Sequence, residues 1–144
     1  MSFARDMLEA SPAAIPLPVD DVADVIRTCS DAAQACASCA DSCLAEQDVE
    51  KMRACIGLAQ NCTDVCDTVG RVLSRPGSWD HRVVHALLHS CFHACMLCAE
   101  ECAHHAEHHR HCALCAQACR ACEKACEDLL DDEAFEELEK LAGG

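Results

Sequence analysis

Cysteines recur at helical spacing through most of this chain, and that spacing limits what it can fold into. Cys91, Cys95, Cys98 and Cys102 follow one another at steps of four, three and four. Cys112, Cys115, Cys119, Cys122 and Cys126 follow at three, four, three and four. Residues three and four apart share one face of an α-helix. At about 100° per residue, the second run stays within a stripe roughly 80° wide. Each run therefore predicts a helix with a thiol-lined seam.

Two earlier segments repeat the pattern more loosely. Cys29, Cys36, Cys39 and Cys43 lie on one predicted helix, whose seam extends back through Val22 and Val25 or Ile26. Asp20 or Asp21 is the expected N-cap. After a polar break around Glu46 to Glu50, a second helix carries Cys55, Cys62 and Cys66 and continues through Val69 and Leu73. Arg75-Pro76-Gly77-Ser78 breaks it. The third helix starts near Trp79–Asp80 and passes Val84 and Leu88 before Cys91. The fourth runs through Cys126 to Leu129 and Leu130.

Four such helices of about 20–28 residues with short connections predict an all-α, antiparallel up-down four-helix bundle with a cysteine-lined core. The seven-residue steps fit left-handed packing with cysteine at a and d positions. The expected division is an arm and Pro-rich connector at 1–19, the bundle at 20–131 and an acidic tail at 132–144. In the arm, Phe3, Met7 and Leu8 are the apolar face of a short helix. In the tail, Phe135, Leu138 and Leu141 suggest a further turn or two. Up-down topology gathers Cys43, Cys102, Cys112 and the histidine-rich third connection at one end. Val22, Val69, Leu73, Val84, Leu88, Leu129 and Leu130 gather at the other.

Sixteen cysteines in 144 residues would mean a disulfide scaffold in a small secreted protein. Here cysteines three or four apart on a helix have Cβ atoms about 5–6 Å apart, against about 3.8 Å for a disulfide. The N-terminal MSFARDMLEASPAAIP has no signal-peptide pattern. Reduced thiols and a cytoplasmic location are expected. No run of about 18 apolar residues suggests a membrane span. The net charge of −14 disfavours nucleic acid.

One or two buried cysteines serve well as small core residues; sixteen on the seams of four helices require another explanation. A thiol-lined interior selects soft metals. Ligation deprotonates thiols. Sixteen thiolates divided among four zinc ions would leave eight negative charges uncompensated in a dry core, whereas monovalent ions at one per thiolate leave none. Unpaired buried charge is very costly, so the expected ligand is Cu(I), in multiple ions, on the order of one or more per cysteine. All sixteen cysteines are expected ligands. Counting on from Cys98 and Cys102, the seam reaches His105 and His109, which are expected to pass Cu(I) inward at the mouth, with His111 a third. His81, His85, His89 and His93 form a separate stripe, read as surface or subunit contact. Met52 and Met96 are read as packing.

These residues, from about Asp20 to Leu130, resemble the bacterial copper storage proteins, specifically their cytosolic branch. The resemblance implies a four-helix bundle storing many Cu(I) ions on cysteine thiolates, loading through a histidine-bearing mouth, and a homotetramer. The second helix departs from the pattern, with three seam cysteines and Ala59 inside its seven-residue step. The expected role is high-capacity Cu(I) storage and detoxification rather than catalysis. Copper chaperones or small-molecule thiols are the expected donors. A metallothionein-like zinc or mixed-metal buffer and a Cu(I) chaperone are the alternatives.

Overall fold

The computed structural model describes residues 2–141. Met1 and residues 142–144, which belong to the expected arm and tail, lie outside the described residues. Six helices follow in order: α1 (Ala4–Ala10), α2 (Val19–Leu44), α3 (Arg53–Leu73), α4 (His81–His105), α5 (Arg110–Leu130) and α6 (Glu133–Leu141). There is no strand among the described residues. Helices α2 to α5 are the four long ones. Each packs on the next, and α5 returns to α2, which closes an up-down bundle around one axis. α1 lies on α2, and α6 lies on α4.

Local chemistry sets the helix ends. α2 begins at Val19, ahead of both expected caps, with Pro18 in the cap position and no side-chain cap. The ring of Pro18 fixes its backbone at φ −59°, and its carbonyl accepts the first helical bond, from the Val22 N–H (3.0 Å). Asp20 and Asp21 thus lie inside the first turn, where their charges favour the positive end of the helix dipole. α4 starts as expected, with Asp80 accepting the Arg82 N–H at 2.9 Å. The same carboxylate grips the Arg82 guanidinium at 3.0 and 2.8 Å, and that pairing holds it well below the usual carboxylate range. The break after α2 contains a 3-10 turn, Val49–Met52, whose Met52 is fully buried.

The seams face inward as the spacing predicts. All sixteen cysteines are buried, and all are free thiols. Ala59 fills the gap in the α3 seam and is itself fully buried. Between helices, the Thr63 hydroxyl donates to the Ala33 carbonyl at 3.1 Å and fixes α3 against α2.

The ends of the bundle differ. At one, Val22, Val69, Leu73, Val84, Leu88 and Leu129 are buried, and Leu130 is partly so. Trp79 closes this end by donating its indole N–H to the Val72 carbonyl at 3.0 Å. Phe135 of α6 is buried beside it, in a cleft shared with Leu17 and Val84. In α1 only Leu8 of the three expected apolar residues is buried. Phe3 and Met7 are 72% and 67% exposed, because a seven-residue helix lying on one neighbour has room to bury little more than one side chain.

One helix among the described residues, α4, is long and apolar enough to cross a membrane, with a mean hydropathy of 1.3. Much of that apolarity comes from the cysteines of its seam, which face the bundle axis between α3 and α5.

Apart from Met52, the aliphatic plug supplies the largest fully buried side chains in an interior otherwise built mostly of Cys and Ala. Removing Leu88, which is fully buried there, is expected to cost about 3 kcal/mol. Urea unfolding of reduced Leu88→Ala protein checks this through its midpoint; an unchanged midpoint would mean that the plug contributes little to the fold.

Candidate metal centre

The sulfur atoms form one connected network along the bundle axis. Nearest the aliphatic end, Cys29 Sγ lies 3.6 Å from both Cys91 and Cys122, and those two are 3.7 Å apart. Cys66 joins them at 3.8 Å from Cys91 and leads on to Cys95 (3.6 Å) and Cys62 (3.8 Å). Cys62 reaches Cys119 at 4.0 Å, and Cys119 reaches Cys36 at 3.4 Å. Cys36 in turn meets Cys115 (3.6 Å) and Cys98 (3.8 Å). Cys98 leads to Cys102 (4.0 Å) and Cys102 to Cys55 (3.5 Å). Cys39, Cys102 and Cys115 converge, and Cys39 continues to Cys43 (4.0 Å) and Cys112 (3.9 Å).

These separations have a chemical reading. With metal–sulfur bonds of about 2.3 Å, sulfurs around a three- or four-coordinate ion lie about 3.8–4.0 Å apart, and those of a linear pair about 4.6 Å. The observed spacing fits three- and four-coordinate sites better than linear bridges. Two sets of four thiols do come together: Cys29, Cys66, Cys91 and Cys122, and Cys36, Cys98, Cys115 and Cys119. Continuous ladders would not by themselves predict such groups of four. The sets are not isolated, however. Cys66 also belongs with Cys62 and Cys95, and Cys115 with Cys39 and Cys102. Shared thiols of this kind suit bridged, multinuclear occupation.

The mouth is built from the α2–α3 break, which supplies Glu46 and Asp48, the end of α4, which supplies Glu101 and His105, the α4–α5 connection, which supplies His109, and the first turn of α5, which supplies His111. His111 Nδ1 lies 3.3 Å from Cys39 Sγ and 3.6 Å from Cys112 Sγ, while its Nε2 lies 2.9 Å from Glu46. His109 lies against Glu46 through Nδ1 and, at 3.4 Å, against Asp48 through Nε2. His105 Nε2 lies 3.4 Å from Glu101. The three expected histidines therefore differ. His111 touches thiols directly, whereas His105 and His109 face carboxylates. The three rings follow one another, with His105 to His109 centroids 6.5 Å apart and His109 to His111 5.6 Å. His109 and His111 side chains are 13% and 24% exposed, so the mouth is narrow but open to solvent.

Reasoning from sequence missed Glu46, Asp48 and Glu101. A signal was present for the first two. Up-down topology sets the first connection beside the third, so acidic residues in the 46–50 break had to face the histidines.

Proton affinities alternate between neighbouring thiols along the axis, and hydrogen bonds from adjacent sulfurs hold Cys62, Cys98, Cys115 and Cys122 low. Deep in the core, Cys95 is pushed well up, first by its hydrogen bonds with Cys119 and Cys122 and then by burial. Cys43, nearer the mouth, is also raised, chiefly by burial. Cys39 goes the other way and is pulled down to about 6, with hydrogen bonding from Cys102 its largest influence and Cys55 and His111 acting in the same sense. Burial alone would lower His111, but its contacts with Cys39 and Glu46 outweigh that and raise it. Glu46 is lowered, mainly by His111. The mouth thus pairs a favoured thiolate with a favoured imidazolium.

A closed four-helix bundle with buried, connected thiols along its axis and imidazoles at one end is a soft-metal container. The chain belongs to the copper storage protein family: the family's sequence profile matches residues 19–131. Among solved structures, it is similar to the copper storage protein Ccsp from Streptomyces lividans loaded with 10 copper equivalents. The identity is 42% and the TM-score 0.86, over 88% of this chain and 97% of that one. A cytosolic copper storage protein from Streptomyces lividans carrying five coppers matches at 44% identity and TM-score 0.77, over 78% and 94%. Cu(I)-bound BsCsp3, also a copper storage protein, matches at 28% and 0.66, over 74% and 94%. No curated protein matches the chain.

Proposed function

We propose that this protein is a cytosolic, high-capacity store for Cu(I), which it holds on core thiolates and so keeps from harmful chemistry. The observation that carries this reading is the chain of buried sulfurs from Cys122 to Cys112, spaced at 3.4–4.0 Å and bridged where Cys39 comes within 4.8 Å of Cys102 and Cys115. The ligands are all sixteen cysteines: Cys29, Cys36, Cys39, Cys43, Cys55, Cys62, Cys66, Cys91, Cys95, Cys98, Cys102, Cys112, Cys115, Cys119, Cys122 and Cys126. His111 completes the outermost thiol site, and His105 and His109 receive the ion before it. Residues 20–131 form the storage unit, with 1–19 and 132–144 as flanks. The protein acts by binding, not by catalysis, because no thiol stands apart from the network as a lone nucleophile. Copper chaperones or small-molecule thiols deliver the metal. A homotetramer is part of the reading, supported by the exposed Val83 and Leu97 of α4 and Leu114 of α5, which association would cover.

Zinc is the second reading, favoured by the two four-thiol groups. An anaerobic Cu(I) titration of fully reduced protein against a chromophoric chelator, with proton release followed in parallel, separates the two. Storage on thiolates predicts about 16 or more ions per chain and about one proton released per early copper. Tight zinc binding at about one ion per four cysteines, with copper uptake stopping after one or two ions, would replace storage with a zinc buffer or a chaperone.

A further inference from the structure

The outer face of α4 carries metal donors that storage does not use. His81, His85, His89 and His93 recur at every fourth residue, one helical turn apart. The rings of His85 and His89 lie edge to face with centroids 4.6 Å apart. α6 fixes the first of them, since Phe135 packs against the His85 ring at 5.4 Å. α6 also delivers a carboxylate, with Glu139 Oε1 3.7 Å from His85 Nε2. That gap is too long for a good hydrogen bond. It is close to the separation of about 3.4 Å between two ligand atoms of a tetrahedral ion with bonds of about 2.0–2.1 Å. Two imidazoles at i and i+4 on one helical face are also the arrangement by which helical zinc sites present their histidines.

We propose that His85, His89 and Glu139 form a surface site for one borderline divalent transition-metal ion, separate from the thiol core. Donor chemistry decides the class of ion. Imidazole with carboxylate suits Zn(II), Ni(II) and Cu(II), whereas thiolate selects Cu(I). The protein would then sort metals by softness, with soft ions inside and borderline ions on α4. The site lies toward the aliphatic end of α4, where Val84 and Leu88 are buried, so an ion there is not in transit to the mouth. His81 and His93 extend the stripe by one turn at each end and offer weaker alternative partners.

The test is equilibrium dialysis of Ni(II) against protein whose core is already saturated with Cu(I), so that the thiols are occupied. The wild type is expected to take up about one Ni(II) per chain at this site. His85→Gln/His89→Gln is expected to weaken that uptake by about tenfold or more, because chelation by several donors is lost. Glu139→Gln should weaken it while leaving the stoichiometry unchanged. The triple mouth variant His105→Gln/His109→Gln/His111→Gln should retain it. Undiminished uptake in the α4 variant, loss of uptake in the mouth variant, or none in the wild type would overturn the site and leave His85 and Glu139 as a simple ion pair. Far-UV circular dichroism and the urea unfolding midpoint report whether each variant is folded. Should the double variant fail to fold, His89→Gln alone tests the same point, because His89 is exposed.

Discussion

Filling the core with Cu(I) is expected to raise the thermal midpoint by roughly 20 °C or more. The apo protein buries little for its size. Outside the aliphatic plug its interior is mostly Cys and Ala, and small side chains remove less apolar area from water than Leu or Phe do. Each ion bound to the folded chain at about 100–1,000 times its dissociation constant adds about 3–4 kcal/mol. The unfolded chain keeps the same sixteen thiols and also binds copper, so only the difference counts. That difference favours the fold, since the sulfurs already sit at coordination distance across four helices, as between Cys29 of α2 and Cys122 of α5 (3.6 Å). A net gain of about 8 kcal/mol, at about 2–4 °C per kcal/mol for a chain of this size, gives the expected shift. Anaerobic calorimetry of apo and loaded protein measures it. A rise of only a few degrees would mean that copper is held as well by the unfolded chain, or that it sits outside the bundle axis.

The same reasoning predicts where loading stiffens the molecule. Bonds from α2 and α5 to shared ions tie together elements distant in sequence, whereas the plug is held by apolar contact alone. Loading should slow amide exchange most along the thiol-lined parts of α2 to α5, and least in α1 and α6, which carry no cysteine.

The bundle was legible because its periodicity admits one reading. Thiols three and four apart on four segments cannot be turned outward without exposing the whole seam, so helix number, helix faces and the contrast between the ends all followed. Where the chemistry was less constrained, the reading slipped. Asp20 and Asp21 have the right residue type for a cap, but Pro18 starts the helix ahead of them. Phe3 and Met7 are apolar at helical spacing, yet a seven-residue helix on one neighbour leaves both exposed. At the mouth, seam counting pointed first to His105 and His109. The connection bends between α4 and α5, so the count does not carry across it, and His111, in the first turn of α5, is the imidazole that reaches sulfur. Glu46 meets His111 across 65 positions of sequence, a pairing that no local pattern records.

Cys39→Ser is expected to slow capture of the first Cu(I) by about tenfold or more, because a thiolate, not a thiol, is the ligand. Cys39 is the mouth sulfur whose proton is most easily lost, with its pKa held near 6. It has Cys43 at 4.0 Å and Cys112 at 3.9 Å as partners for the incoming ion. Total capacity should fall by only about one ion, since the deeper thiols remain. The pH dependence follows from the lowered pKa. Above about 6 Cys39 is predominantly thiolate and capture is fast; as pH falls through that value it takes up its proton and capture slows. In Cys39→Ser the remaining mouth thiols Cys43 and Cys112 are both raised, with burial the first cause in each, so the fall in rate should begin at higher pH. His111→Ala should act in the same sense but less strongly, because His111 is a smaller influence on Cys39 than Cys102 or Cys55. His105→Ala removes an imidazole that receives the ion but faces Glu101 rather than sulfur and so passes it on without holding it; it should slow capture, but less than Cys39→Ser. Stopped-flow transfer from a chromophoric Cu(I) chelator, followed from about pH 8 down to about 5, reads the order directly. A His105→Ala variant slower than Cys39→Ser would place capture at the outer imidazoles and remove Cys39 as the first holding point.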